Sequence, residues 1–80
     1  MIHALLIIWS LDPSGAGTVN VRETPSLGDC YITAGRVSAV APKVRVTCQP
    51  ASEVADVVTQ LAEIRCDGQD GFYICKGRKP

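Results

Sequence analysis

The chain has 80 residues, of which 46% are hydrophobic, and its eight basic and eight acidic residues give a formal charge of zero. This length allows one domain, residues 1–80, and the apolar content excludes a disordered tail. A neutral chain also lacks the basic excess typical of proteins that bind nucleic acid through its phosphates.

The N-terminal segment predicts a central strand followed by a hairpin. Residues 3–11 are almost wholly apolar, which indicates a strand covered on both faces. This segment carries no Lys or Arg and Asp12-Pro13 follows it at once, so it fits neither a signal peptide nor a membrane span, and we expect a cytoplasmic protein. Residues 12–17 predict a turn, and the alternation over residues 18–23 predicts a second strand paired with the first.

Two amphipathic helices are predicted downstream, with a strand over residues 43–48 between them. The first helix is expected to begin at Thr24-Pro25, with Thr24 as N-cap, and to end at Ala41-Pro42. Its predicted inward stripe consists of small and apolar residues spaced three and four apart: Leu27, Cys30, Ala34, Val37 and Ala41. The second helix, from residue 50, is expected to turn inward Val54, Val57, Val58, Leu61 and Ile64.

The C-terminal segment predicts a turn over residues 67–71, a last strand over residues 72–76 and a basic tail over residues 77–80. The element order is then ββαβαβ, an α+β fold. A central first strand and right-handed crossovers predict a four-stranded, mostly antiparallel sheet in the order 2-1-3-4, with two helices on one face. In that order the second strand is an edge of the sheet.

Four cysteines lie far apart in the sequence, with no C-x-x-C pair, so we expect no metal site. Cys30 should lie beside Cys48, and Cys66 beside Cys75, because each pair joins a helix to the strand that follows. In the cytoplasm such neighbours are expected to be mostly reduced thiols that pack as small hydrophobic groups. Whether either pair oxidises is left open at this point.

Catalytic chemistry is not indicated. The single histidine, His3, stands at the start of an apolar strand, without a nucleophile and an orienting partner in an evident arrangement. Residues 14–18 are rich in glycine, but they lack the Lys-Ser/Thr of a phosphate-binding loop and read as a hairpin turn. We therefore expect a protein that is not an enzyme and has no cofactor.

Charge placement supplies the functional hint. Acidic residues recur on the outward face of the second helix, and basic residues gather in the third strand and at the C-terminal tail. An ordinary solvated surface explains this pattern, but complementary potentials also steer partner binding, and an exposed tyrosine can anchor a contact. The candidate partner-binding residues are Glu53, Asp56, Gln60, Glu63, Lys43, Arg45 and Tyr31.

Residues 4–50 contain ALLIIW, TVNVRETPSLGDC and VRVTCQP, an arrangement that resembles very small bacteriophage or prophage proteins. In its size, its α+β character and its lack of an active site, the chain also resembles the anti-CRISPR proteins. This resemblance implies an inhibitor in the host bacterial cell that binds a protein partner, such as a CRISPR effector complex, and blocks a nucleic-acid or partner site.

Two other functions stay open. A small nucleic-acid-binding regulator would use Lys43 and Arg45 together with the C-terminal basic residues Lys76, Arg78 and Lys79. Neutral overall charge makes direct nucleic-acid binding the less favoured of these readings. A homodimeric structural protein would join two copies at the second strand, if that strand is an edge.

Overall fold

The computed structural model describes residues 3–69 and 71–77, with five strands, two α-helices and one turn of 3₁₀ helix. In chain order these elements are β1 (Ala4–Leu11), β2 (Ala16–Thr24), α1 (Leu27–Val40), β3 (Arg45–Pro50), the 3₁₀ turn (Ala51–Glu53), α2 (Val54–Glu63), β4 (Cys66–Gln69) and β5 (Phe72–Lys76).

The strands form one sheet in the order β3-β1-β2-β5-β4, in which all neighbours are antiparallel. The predicted α+β class and the central position of β1 between β2 and β3 are confirmed. The predicted four strands and the order 2-1-3-4 are wrong. The last strand pairs with β2 rather than beside the third strand, and a further strand, β4, replaces part of the turn predicted from residue 67. The edges are β3 and β4, so the predicted edge position of β2 is also wrong.

The helices lie on opposite faces of the sheet, not on one face as predicted. Leu5, Ile7 and Trp9 of β1 pack with α2, while Ala4 and Leu6 pack with α1. The crossover from β2 to β3 and the crossover from β3 to β4 run in opposite directions across the sheet. Two crossovers of the same hand must then pass over opposite faces. The continuous apolarity of β1 follows, because both of its faces are covered.

The start of α1 differs from the prediction by two residues. Thr24 ends β2 and is buried, with its hydroxyl 3.3 Å from the Ala4 carbonyl oxygen and 3.0 Å from that of Ser26. The N-cap is Ser26, whose Oγ accepts a hydrogen bond from the Asp29 backbone N–H at 3.2 Å. Thr24 cannot cap the helix because its hydroxyl ties the end of β2 to β1.

The inward stripe of α2 is narrower than predicted. Val57 and Leu61 are buried and Ile64 packs against the same core cluster. Val54 and Val58, which were expected to point inward, are 51% and 58% exposed. Only one row of side chains reaches the sheet, because the helix rests on β1, β2 and β5 through Val57 and Leu61.

All four cysteines form disulfides, Cys30–Cys48 and Cys66–Cys75. The predicted pairs are confirmed, but the expectation of reduced thiols is wrong for this structure. Cys30 in α1 packs over Cys48 in β3, with a Cα–Cα distance of 6.0 Å. Cys66 and Cys75 are direct partners in the β4–β5 ladder. Adjacent placement therefore brings both pairs within bonding reach.

One half of the sheet remains open on the face that α1 occupies. There α1 packs over β1 and β3 and touches β2, while the same face of β5 and β4 carries no described helix. Phe72 and Ile74 of β5 point to this side and are 48% and 57% exposed. Arg22 and Lys76 are exposed on the same face.

Candidate binding groove

A groove of about 510 Å³ lies at the end of β1, between the β1–β2 turn, the start of β3 and the C-terminal half of α2. We call it the Trp9 groove. Its lining residues are Trp9, Leu11, Asp12, Pro13, Gly15, Lys43, Arg45, Gln60, Glu63 and Ile64.

The floor of the groove is the Trp9 side chain, which is only 4% exposed. Its indole Nε1–H donates a hydrogen bond to Thr47 Oγ1 at 3.0 Å. The Arg45 guanidinium carbon lies 5.0 Å from the centroid of the indole, a cation–π distance. Arg45 is also the ladder partner of Trp9 across β1 and β3, so the strand register places this pair. Two residues of β3, Thr47 and Arg45, thus hold the Trp9 side chain in place.

The β1–β2 turn forms one end of the groove and is tied together by Asp12. Asp12 Oδ1 accepts hydrogen bonds from the Ser14 hydroxyl at 2.6 Å, the Ser14 backbone N–H at 2.9 Å and the Ala16 backbone N–H at 3.0 Å. The Ser14 hydroxyl, with smaller contributions from the backbone N–H groups, lowers the pKa of Asp12 below its ordinary 3.8. This carboxylate is occupied in shaping the turn.

The two long walls carry opposite charges. Lys43, just before β3, and Arg45, its first residue, are exposed on one wall. Glu63 is exposed on the other wall, at the end of α2, beside the half-buried Gln60. None of the three charged side chains forms an ion pair at 4.0 Å or less within the described residues. A ligand in the groove therefore meets positive charge on one side and negative charge on the other, over an aromatic floor.

The groove unites four of the predicted partner-binding residues: Lys43, Arg45, Gln60 and Glu63. Glu53 and Asp56 are exposed at the other end of α2 and do not line it. Tyr31 is 62% exposed on α1, across the sheet from α2. The seven predicted residues therefore form no single surface.

Of the C-terminal basic residues predicted as alternative nucleic-acid contacts, Lys76 does not line the groove. Lys76 is exposed on β5 and faces the open half of the sheet, and Arg78 and Lys79 lie outside the described residues. Predicted basic contacts on β3 and β5 thus lie on opposite faces of the sheet.

Sequence reasoning missed the apolar part of the groove. Trp9 belongs to the apolar run predicted to be a covered strand, and it is both buried and part of the lining. Leu11, Pro13 and Ile64 come from two segments more than 40 residues apart in the sequence. Trp9 lies beneath Arg45 because the two residues are partners in the β1–β3 ladder. The sequence of β1 or of β3 alone does not determine this register.

Within the described part of the chain, the residue types that hydrolysis or metal binding needs are not grouped together. His3 precedes β1, at the end of that strand away from the groove. All four cysteines are engaged in disulfides. Within residues 3–69 and 71–77, no group of three or more His, Cys, Asp or Glu side chains is placed to hold a metal ion.

Comparison with known proteins adds no relative: no protein-family model, no curated protein and no solved structure matches this chain. Neither helix of the described residues has the length and apolarity needed to cross a membrane.

Proposed function

We propose that the chain is a non-enzymatic protein-binding domain whose working site is the Trp9 groove. One observation carries this proposal: the fold brings the basic start of β3 and the acidic end of α2 to the two sides of one groove. The sequence predicts both segments as candidate contact regions but does not show that they face each other.

The composition of the groove suits a protein ligand. Arginine is among the residues that most often dominate protein interfaces, and here the exposed Arg45 lies over the buried Trp9 indole, 5.0 Å from its centroid. Charges of both signs on the rim favour a partner segment with complementary charges and raise the rate of encounter. A projecting loop of a partner protein fits this combination.

The partner class that we propose is a bacterial defence effector complex, in line with the resemblance to phage proteins and anti-CRISPR inhibitors. A domain of 80 residues would act by occupying a nucleic-acid or partner site on that complex. The acidic residues Glu53 and Asp56 would then contribute a second contact only if the partner extends along α2 away from the groove.

The test is a pull-down of purified effector complexes, followed by affinity measurement with three double variants. Lys43→Glu with Arg45→Glu reverses the basic wall of the groove and is expected to weaken binding by roughly tenfold or more. The matched control, Arg22→Glu with Lys76→Glu, makes the same change of charge on strand residues of the opposite face. It should leave the affinity within about twofold, since rim-distant charges act weakly at physiological salt.

The third variant, Glu53→Lys with Asp56→Lys, distinguishes binding in the groove from binding at the acidic ridge, which we define as Glu53 and Asp56 at the N-terminal end of α2. Loss of binding in this variant alone would move the site to that ridge and contradict the groove. Equal loss in the Arg22 and Lys76 control would instead indicate a non-specific charge effect. A gel shift that collapses steeply with added salt would favour the nucleic-acid regulator.

A further inference from the structure

We propose that the Cys66–Cys75 disulfide is a redox-sensitive clip: its reduction releases β4 and loosens the α2 wall of the Trp9 groove. Oxidised protein then has a fixed groove and reduced protein has a mobile one. The consequence for binding rests on the proposed function, whereas the conformational change does not.

The clip is the main anchor of β4. This strand has four residues, lies at an edge of the sheet and pairs only with β5. Its sequence, Cys-Asp-Gly-Gln, contains two residue types that are depleted in strands, and its one apolar side chain is Cys66. Cys66 packs against the core cluster that holds α2, and it does so while bonded to the buried Cys75.

The clip also adjoins the groove wall. Ile64, which lines the groove, is followed by Arg65 and then directly by Cys66. Arg65 has a φ of 61°, a left-handed conformation that is uncommon for residues other than glycine. Its carbonyl accepts a hydrogen bond from the Lys76 backbone N–H at 3.3 Å. This conformation is common just after a helix end, and here the Arg65 backbone N–H also donates a hydrogen bond to the Ala62 carbonyl oxygen at 3.1 Å. Arg65 therefore links the end of α2 directly to the β4–β5 ladder.

The other disulfide has more support from its surroundings. Cys30 is fully buried between α1 and the sheet, in a cluster with Ala4 and Leu6. The β3 strand that carries Cys48 keeps a six-residue ladder with β1. Reduction of Cys30–Cys48 would therefore leave α1 and β3 in place, because packing and strand pairing continue to hold them.

The chemistry is thiol–disulfide exchange with a dithiol reductant. A thiolate of the reductant attacks Sγ of Cys66, the less buried residue of the clip, and Cys75 leaves as a thiolate that takes up a proton. The second thiol of the reductant then displaces Cys66 from the mixed disulfide. The clip gains two electrons and two protons in total, and the dithiol becomes a disulfide.

The test follows reduction of the oxidised 80-residue chain by dithiothreitol. Alkylation and peptide mapping show which disulfide opens at each reductant concentration, while acrylamide quenching reports on Trp9, the single tryptophan. We expect Cys66–Cys75 to open first and the quenching of Trp9 to rise at the same concentration. Hydrogen exchange of the β4, β5 and residue 60–65 amides should accelerate by roughly tenfold or more, while β1 stays protected.

Two variants serve as controls. Cys66→Ala with Cys75→Ala should reproduce the exchange and quenching of the reduced protein without any reductant, and Cys30→Ala with Cys48→Ala should not. The proposal fails if both disulfides open together, if Trp9 quenching stays unchanged, or if far-UV circular dichroism shows that opening the clip unfolds the whole domain. No partner takes part in these measurements, so their failure leaves groove binding untouched, and loss of groove binding leaves the clip untouched.

Discussion

Thr47 gives the sharpest structural test of the groove floor. Its hydroxyl accepts the indole N–H of Trp9 at 3.0 Å, and the Trp9 side chain is 4% exposed. Thr47→Val replaces the hydroxyl with a methyl group of similar size and leaves that N–H without a partner inside the protein. Leaving a buried donor unpaired costs about 1–2 kcal/mol. With a urea dependence of about 1 kcal/mol per M for a small domain, the unfolding midpoint should fall by roughly 1–2 M.

The matched control is Thr18→Val, the same substitution on β2, another strand, at a half-buried position. Its effect should stay within about 0.5 kcal/mol, as is usual away from packed or bonded sites. Urea unfolding followed by far-UV circular dichroism measures both variants without relying on Trp9 fluorescence. Equal destabilisation by the two substitutions would refute the claim that the Thr47 hydrogen bond holds the floor in place.

Three further predictions concern Gly17 in β2, Gly35 in α1 and Asp12 in the β1–β2 turn. Gly17→Ala should destabilise the domain by about 2 kcal/mol or more in urea unfolding, because Gly17 has a φ of +146° and a Cβ there would overlap the Ser10 carbonyl oxygen. Gly35→Ala should instead stabilise it by about 0.5–1 kcal/mol, since nothing lies within 4 Å of that Cβ in α1; a loss of stability there would contradict the helix assignment. Asp12 has a folded pKa below its ordinary 3.8, so the stability it contributes is complete above that value and is lost as pH falls through the folded pKa. Urea midpoints between neutral and acidic pH should therefore fall less steeply in Asp12→Asn than in the natural chain, and parallel curves would contradict the Ser14 interaction.

The parts of the fold that follow local sequence were predictable. The unbroken apolar run of β1 indicated a central strand with both faces covered, and β1 lies between two strands and two helices. Spacing of three and four residues located both helices, and adjacency along the chain paired the cysteines correctly. These features depend on periodicity and short-range contact, which a sequence carries directly.

The order of the sheet was not predictable from the same signals. A crossover from β3 to the last part of the chain can run in either direction and still be right-handed. The observed direction depends on the pairing of β5 with β2. The alternation of apolar and polar residues in β2 predicts a strand, but it does not indicate which strands lie beside it. The strand β4 was missed because Asp67 and Gly68 are typical of turns, and the residues stay extended through the ladder and the disulfide.

The candidate site was half predictable. Charge pattern selected Lys43, Arg45, Gln60 and Glu63, which line the groove. The same pattern selected Glu53, which lies elsewhere, because a charged residue on a helix is exposed whether or not a groove is near. Apolar lining residues carry no surface signal in the sequence, since burial against the core and burial in a groove floor favour the same side chains.

The most direct test of the groove is site-specific photo-crosslinking in host cells. A benzophenone amino acid replaces Gln60, on the groove wall, or Tyr31, which is exposed on the opposite face of the sheet. The groove account predicts one discrete protein adduct from position 60, its loss when Arg45→Glu is added, and no such adduct from position 31. An adduct from position 31 alone, or an adduct from position 60 that survives Arg45→Glu, would contradict it.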